Sequence, residues 1–280
     1  MKHAFTVDLE DWYHGIPISV ERKAAAERRL HIGTELLLEV LARHGYKATF
    51  FALSCVALEH PGILRRISDA GHDIGSHGLS HDLIYDMSPE RFREETRTSI
   101  RDIEDCIGKG VQSYRAAYFS ITKRSLWALE VLVEEGVRFD SSIFPVKNWR
   151  YGIDDYPRGP TVVHTPAGTM LEFPISTRRL GGRNLPATGG AYFRLYPYVL
   201  TRANVRAAEK EGVPVVFYLH PWELDPYHPT ELFKLKAMMT HYAKLRSTRS
   251  KLESLCCDFE FTTLSEVLNH AFPGLGQQLL

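Results

Sequence analysis

The sequence predicts an α/β fold built on a mainly parallel sheet, open or closed into a barrel with the barrel favoured, and three observations carry that prediction. Short apolar, β-branched or aromatic runs alternate with stretches of helical periodicity five or more times along the chain. The helical stretches stop at glycine, as at Gly45, Gly71 and Gly136. Acidic residues and histidines gather where strand-like runs end, which is where parallel α/β folds place their sites.

Taken in order, the strands are residues 3–9, 48–53, 73–76, 137–141 and 213–219. Between the first two, residues 32–44 repeat apolar positions at helical spacing. A helix over 62–70 follows Pro61, a residue suited to a first turn. Ser88 followed by Pro89 reads as cap and first turn of a helix reaching Cys106, and Thr122 as the cap of another ending at Gly136. A further helix spans 197–210 and stops at Gly212. Two segments break the rhythm. Residues 144–195 are rich in proline and glycine, and read as loops and a hairpin around Thr165-Pro-Ala-Gly-Thr169, one wall of a cleft. Residues 231–255 read as a solvated amphipathic helix covering the core, followed by an aromatic strand over 259–261. The expectation is one domain over 1–280, with 226–280 as a C-terminal helical extension packed on it.

At 280 residues, 44% hydrophobic and 24% charged, the chain can bury a large core. Lys plus Arg and Asp plus Glu both number 34, so no net field draws it to nucleic acid or an anionic membrane. No window approaches the roughly 18 apolar residues of a membrane span, and the opening MKHAFTVDLEDWYHG has no apolar core of a secretion signal, so a cytoplasmic protein is expected. Cys55, Cys106, Cys256 and Cys257 have neither metal-site nor disulfide-scaffold spacing and read as buried thiols.

The candidate chemistry begins with His77-Gly-Leu-Ser-His81, two imidazoles four apart that one side of a helical turn would bring to one metal ion. With 13 histidines in 280 residues, chance alone gives roughly 0.6 such pairs, so the context decides. That context is the loop leaving the strand 73–76. The first strand ends in Asp8-Leu9-Glu10-Asp11, where alternation points Asp8 and Glu10 the same way. Two histidines and one carboxylate leave a metal an open position for water, and a second carboxylate nearby can act as general base. His220 closes the strand 213–219 and suits a general acid. Arg115 and Asp140 stand at further strand ends, Arg115 able to hold the base ionised. Glu172, a polar break in an apolar run, could orient His220.

Together these segments resemble the polysaccharide deacetylases of the NodB-homology type, carbohydrate esterase family 4. Thr6-Val-Asp-Leu-Glu-Asp-Trp12 resembles the family's first acidic motif, and His77 to His81 its HxxxH metal motif. Tyr114-Arg-Ala-Ala-Tyr118 resembles the Arg-containing motif and Phe217-Tyr-Leu-His220 the last, histidine-bearing one. Residues 139–145, 189–194 and 220–226 are similar to segments of the branch associated with exopolysaccharide and exosortase systems. The resemblance implies a distorted (β/α)7-type barrel and a divalent ion, zinc first, with cobalt, nickel or manganese as alternatives. It also implies de-N-acetylation of an N-acetylated sugar or glycan during polysaccharide synthesis. Asp8 would be the base, His220 the acid, and His77, His81 and either Glu10 or Asp11 the ligands. The Tyr118 backbone N–H would bind the oxyanion, and Trp12, Trp222 and Tyr192 could stack on sugar rings, with Asp140 beside the substrate. Leu9 stands where the family has a second aspartate, and Ala117 where it usually has proline. Competing readings are a metal-free, allantoinase-like amidohydrolase on the same fold and a non-catalytic carbohydrate-binding relative.

Overall fold

The computed structural model describes residues 1–148, 150–231 and 235–275. Its strands are β1 (Lys2–Leu9), β2 (Thr49–Ala52), β3 (Asp73–Ser76), β4 (Ser113–Tyr114), β5 (Phe139–Asp140), β6 (Thr161–Thr165), β7 (Gly168–Glu172), β8 (Thr177–Leu180), β9 (Arg183–Pro186), β10 (Val216–Leu219) and β11 (Glu260–Thr262). All but β8 and β9 form one sheet in the order β10-β1-β2-β3-β4-β5-β7-β6, with β11 added beside the start of β1. Every pairing in it is parallel except β6 with β7, the hairpin expected at residues 165–169. The fold class is the expected one, with one qualification: among the described residues no pairing of β10 with β6 closes the barrel.

Strand alternation sorts the core into two layers. On β1, Phe5, Val7 and Leu9 join Phe50, Ala52, Phe217 and Leu219 in a cluster packed under the surrounding helices. Ala4 instead joins Phe51, Phe139, Leu171, Val216 and Tyr218 in a second cluster on the inner face. A parallel sheet covered on both faces needs apolar residues on both, which is why its strands read as unbroken apolar runs rather than as alternating ones. The polar exceptions on the inner face of β1 are Thr6 and Asp8, both buried. They sit toward the carboxyl end, where the sheet opens to the site.

The helices follow their sequence signals closely where a cap is local. Ser88 Oγ accepts from Arg91 N at 3.2 Å, Pro89 starts the helix Pro89–Ile107, and Gly108 ends it at φ 67°. Leu30–His44 ends at Gly45, also left-handed. Three expectations need correction. Thr122 is not a helix cap: it folds with Ser125 into a turn, and the helix runs only over Trp127–Glu134. The amphipathic helix expected over 231–255 is two helices, Leu235–Tyr242 and Thr248–Asp258, broken where Lys244 takes φ 63°. Residues 232–234 and 276–280 of the expected extension lie outside the described residues. Among the cysteines only Cys256 is buried, Cys55 and Cys106 are half-buried, and Cys257 is exposed.

The extension is tied to the rest of the chain through carbonyl groups. Tyr46 Oη donates to Cys256 O and Phe259 O, and Lys251 Nζ donates to the carbonyls of Arg194 and Tyr196 at 2.6 and 2.8 Å. Among the described residues no helix is long and apolar enough to cross a membrane.

Candidate active site

Thr6, Asp8 and Glu10 lie on one side of the chain as β1 ends, and a tight turn with Glu10 N donating to Asp8 O at 3.0 Å carries the third of them past the last strand residue. The loop leaving β3 brings His77 and His81 to the same place. It is not a helical turn, as the spacing suggested, but an irregular bend that uses positive φ at Gly78 (90°) and at His81 (58°). One ligand atom from each of Glu10, His77 and His81 lies within 4.8 Å of the other two.

These three residues fit a divalent ion. His77 Nδ1 is 2.7 Å from the Arg115 carbonyl, which accepts its proton and leaves the Nε2 lone pair for a metal. Glu10 Oε2 is buried with no hydrogen-bond partner, although His81 Nε2 lies 3.0 Å away. An orphaned carboxylate oxygen facing two imidazoles is costly unless a cation meets it, and two nitrogens with one oxygen suit zinc. Burial alone would raise the Glu10 pKa, but the charges of His81, His220 and His77 outweigh it and hold the carboxyl below its usual range. Burial lowers the pKa of His77, which favours the neutral, ligating form.

Asp11, the other candidate ligand, is elsewhere. Its carboxylate accepts from the backbone N–H groups of Trp12, Arg29 and Leu30 at 2.8 to 3.0 Å, capping the helix Leu30–His44. Three donors and a helix N-terminus hold its oxygens away from the histidines.

Asp8 is fixed from behind. Arg115, fully buried, donates through Nη1 to Asp8 Oδ1 at 2.7 Å and to Thr6 Oγ1 at 2.9 Å, and through Nη2 to Ser141 Oγ at 2.9 Å. Its guanidinium lies 4.3 Å from the centre of the Phe51 ring. His220 stands on the other side, with Nε2 at 3.2 Å from Glu10 Oε1 and 3.8 Å from Asp8 Oδ2. Its Nδ1 is 2.7 Å from Glu223 Oε1, which also accepts from His220 N at 3.1 Å. Burial opposes the charged imidazole, but Glu223, Glu10 and Asp8 together raise its pKa to about 9. Glu223 is in turn paired with the buried Arg194, which with His220 overcomes burial and lowers the glutamate to about 2. Arg194 also donates to the carbonyls of Thr240, His241 and Ala243, so it satisfies the end of the helix Leu235–Tyr242.

Neither Glu223 nor Arg194 was singled out from sequence. The signal for Glu223 was its place three residues after His220 at the start of the short helix Pro221–Leu224, where a glutamate reaches back to the capping residue. Arg194 is distant in sequence and gave none. Glu172 does not orient His220: it is buried opposite Asp140 across the β5–β7 pairing.

The remaining candidates divide. Tyr118 follows Ala117 in a turn where Tyr118 and Phe119 both take φ above 50°, a strained arrangement for side-chain-bearing residues. Ala116 N donates to Ser142 Oγ at 2.8 Å and that hydroxyl to Asp140 Oδ1 at 2.5 Å, so the turn is anchored from the 140–142 loop. Asp140 is fully buried behind the turn, outside the linings of the inner pocket and the cleft. Trp12 is buried, donates to Glu27 O, and stacks on His228, so it offers no sugar platform. Trp222 borders the site, but it stacks on the imidazoles of His220 and His241. Tyr192 lines the outer cleft, with its hydroxyl 3.2 Å from that of Tyr151. Asp8, Glu10, His77, His81, Tyr118 and His220 line an inner pocket of about 210 Å³, which shares its rim with a cleft of about 950 Å³.

The Asp140–Glu172 pair allows a prediction of its own. Burial and the facing Asp140 raise the Glu172 pKa well above its ordinary 4.5, so the folded state holds a proton that the unfolded state releases. This contribution to stability is complete below pH 4.5 and fades as pH rises toward the folded value. Glu172→Gln removes the need for that proton and should flatten the decline of the urea midpoint as pH rises above 4.5.

Residues 31–135 match the family model described as polysaccharide deacetylase, and residues 141–269 match one described as a domain of unknown function, DUF3473. The peptidoglycan-N-acetylglucosamine deacetylase of Listeria monocytogenes is 26% identical over 115 residues, which are 41% of this chain and 23% of that protein, so the chain spans about a quarter of its length. A crystal structure described as a polysaccharide deacetylase from Mycobacterium smegmatis superposes with a TM-score of 0.70 at 19% identity, covering 99% of this chain and 91% of that one. An allantoinase structure gives 0.65 at 15% identity, covering 96% and 90%, so the fold is common to both activities. Over residues 31–135 this chain is therefore similar to the polysaccharide deacetylase family.

Proposed function

We propose that this protein hydrolyses the N-acetyl amide of an amino sugar with a divalent cation, zinc in the first place, held by Glu10, His77 and His81. The observation that carries the reading is the convergence of those three ligand atoms within 4.8 Å, flanked by Asp8 on one side and His220 on the other. The ion would supply Lewis acidity, lowering the pKa of a water and polarising the acetyl oxygen. Asp8, paired with and oriented by Arg115, takes the proton of the attacking water. The Tyr118 backbone N–H offers a donor to the developing oxyanion. His220, charged at neutral pH and aimed by Glu223, gives its proton to the departing amine nitrogen. A cleft of about 950 Å³ suits a glycan better than a small ureide, which favours this reading over the allantoinase-like one. The setting we propose is polysaccharide assembly, on the likeness of residues 139–145, 189–194 and 220–226 to the exopolysaccharide-associated branch.

The test is acetate release from a small panel of N-acetylated glycans, before and after chelation and with zinc returned. Release should fall on chelation and recover with zinc. His77→Ala should keep its circular-dichroism spectrum while losing both bound metal and activity. Undiminished release from a chelated, metal-free protein overturns the metal-dependent reading.

A further inference from the structure

The charges that line the wide cleft sort into pairs with two cations left over. Arg91 pairs with Asp82 at 2.6 Å and with Glu95 at 2.7 Å, Arg194 pairs with Glu223, and Asp86 faces Arg124 at 4.0 Å. Lys23 and Arg150 line the same cleft, and neither forms an ion pair with a carboxylate of the described residues. The cleft lining carries four Lys or Arg residues against three Asp or Glu, while the chain as a whole has a formal net charge of +0.

Arg150 is the better placed of the two. It borders both the cleft and the inner pocket that contains Asp8, Glu10 and His77. Its guanidinium lies 3.9 Å from the centre of the Tyr118 ring, and that ring touches the His81 ring at 4.6 Å. At that distance the guanidinium packs against the Tyr118 side chain, and its N–H donors form a fork that matches the two oxygens of a carboxylate or phosphate. A half-buried cation without a counter-charge is unfavourable to keep beside a reaction centre, unless the substrate brings the missing charge.

We propose that Arg150, with Lys23 in the same cleft, forms a subsite for an oxyanion, a carboxylate or a phosphate, carried by the sugar whose amide is cleaved or by its direct neighbour. This rests on the deacetylase reading and deepens it: the substrate class is an acidic N-acetylated sugar or glycan and not a neutral one. A neutral chitin-like chain would leave the Arg150 edge unmatched, whereas an acidic one would be held there in a single orientation with its acetamido group toward His77 and His81.

Equilibrium binding by calorimetry tests this without requiring turnover. The probes are methyl N-acetylglucosaminide, N-acetylglucosamine 1-phosphate and N-acetylmuramic acid, titrated into the zinc-loaded wild type, Arg150→Lys and Arg150→Ala. The wild type should bind at least one acidic probe about 10- to 100-fold more tightly than the neutral one. That ratio should collapse in Arg150→Ala and be partly kept in Arg150→Lys, which retains the charge but not the fork. Preference for the phosphate or for the carboxylate each supports the proposal and names the source of the anion. Equal binding of all three probes by the wild type, or a preference untouched by Arg150→Ala, overturns it. Acetate release measured on the same proteins keeps the two readings apart: a deacetylase without acidic preference refutes the subsite alone, and acidic preference without acetate release refutes the reaction alone.

Discussion

Asp8→Asn is expected to lower kcat by about 10²–10⁴, the range in which a positioned proton-transfer group contributes. The amide keeps the size of the carboxylate and can still accept from Arg115 Nη1, now at 2.7 Å from Asp8 Oδ1, but it cannot take a proton from water. Asp8 is not among the three residues whose ligand atoms converge, so metal content should remain near the wild-type value and KM should change little. That separates it from His77→Ala, which should lose metal and activity together. Asp8→Asn also leaves the fully buried Arg115 without a charged partner, and breaking a buried ion pair from one side costs about 3–5 kcal/mol. The measurements are kcat and KM on one glycan, metal content, and a urea midpoint. A variant that keeps wild-type kcat removes Asp8 from the reaction, whatever its stability.

How far the sequence could be read depends on whether the determinant of each feature was local. The strands β1, β2, β3 and β10 announce themselves as apolar runs, and the helix Pro89–Ile107 by Ser88 and Pro89, because each signal lies within a few residues of what it causes. Where two segments distant in sequence decide the outcome, local signals fail. The single helix expected over 231–255 breaks at Lys244, and the carbonyls just before the break are satisfied by Arg194, some fifty positions away on another helix. β4 and β5 are each two residues long, held by their neighbours in the sheet and not by their own propensity, and β4 was not read as a strand. Barrel closure is a tertiary matter that no period in the sequence encodes.

The candidate site divides in the same way. Asp8 and Glu10 share a direction because alternate strand residues share a face, a rule that needs only the sequence. What holds Asp11 apart from the histidines is the start of the helix Leu30–His44, folded back against it and taking its oxygens, which is invisible without coordinates. His77 and His81 were correctly paired on a mistaken picture: glycine-assisted bending and not a helical turn brings them together. The aromatic residues were the least legible. Trp12 and Trp222 carry the composition of a sugar platform, yet their rings are engaged by His228 in one case and by His220 and His241 in the other. The positively charged Arg150 lies inside the segment read as loops and a hairpin walling a cleft, but its relation to Tyr118 arises from folding alone.

Glu223→Gln should reveal how the segment matched by the DUF3473 model serves the site, because Glu223 and Arg194 both lie in it. The glutamate accepts from His220 at Nδ1 and at the backbone N–H while pairing with Arg194, so three groups depend on one carboxylate. Glutamine keeps one acceptor oxygen, turns an amide NH2 toward a donor, and leaves Arg194 buried without a counter-charge, a change worth about 3–5 kcal/mol of stability. Loss of the partner that aims a reacting side chain typically lowers activity by about 10- to 100-fold, and the fall should appear in kcat more than in KM. The pH dependence gives the more specific signature and is best read on metal-free protein, where no cation competes with His220 for Glu10. In the wild type the folded-state pKa of His220 is raised from 6.5 to about 9, so its charge contributes stability in full below pH 6.5 and loses it as pH rises through 9. Over that window the contribution is on the order of 3 kcal/mol. Without the Glu223 carboxylate the largest favourable influence on the imidazolium is gone, and the decline of the urea midpoint between pH 6.5 and 9 should shrink accordingly. An undiminished decline would place the controlling charge on Glu10 or Asp8 instead, and an unchanged kcat would show that His220 is held in place without Glu223.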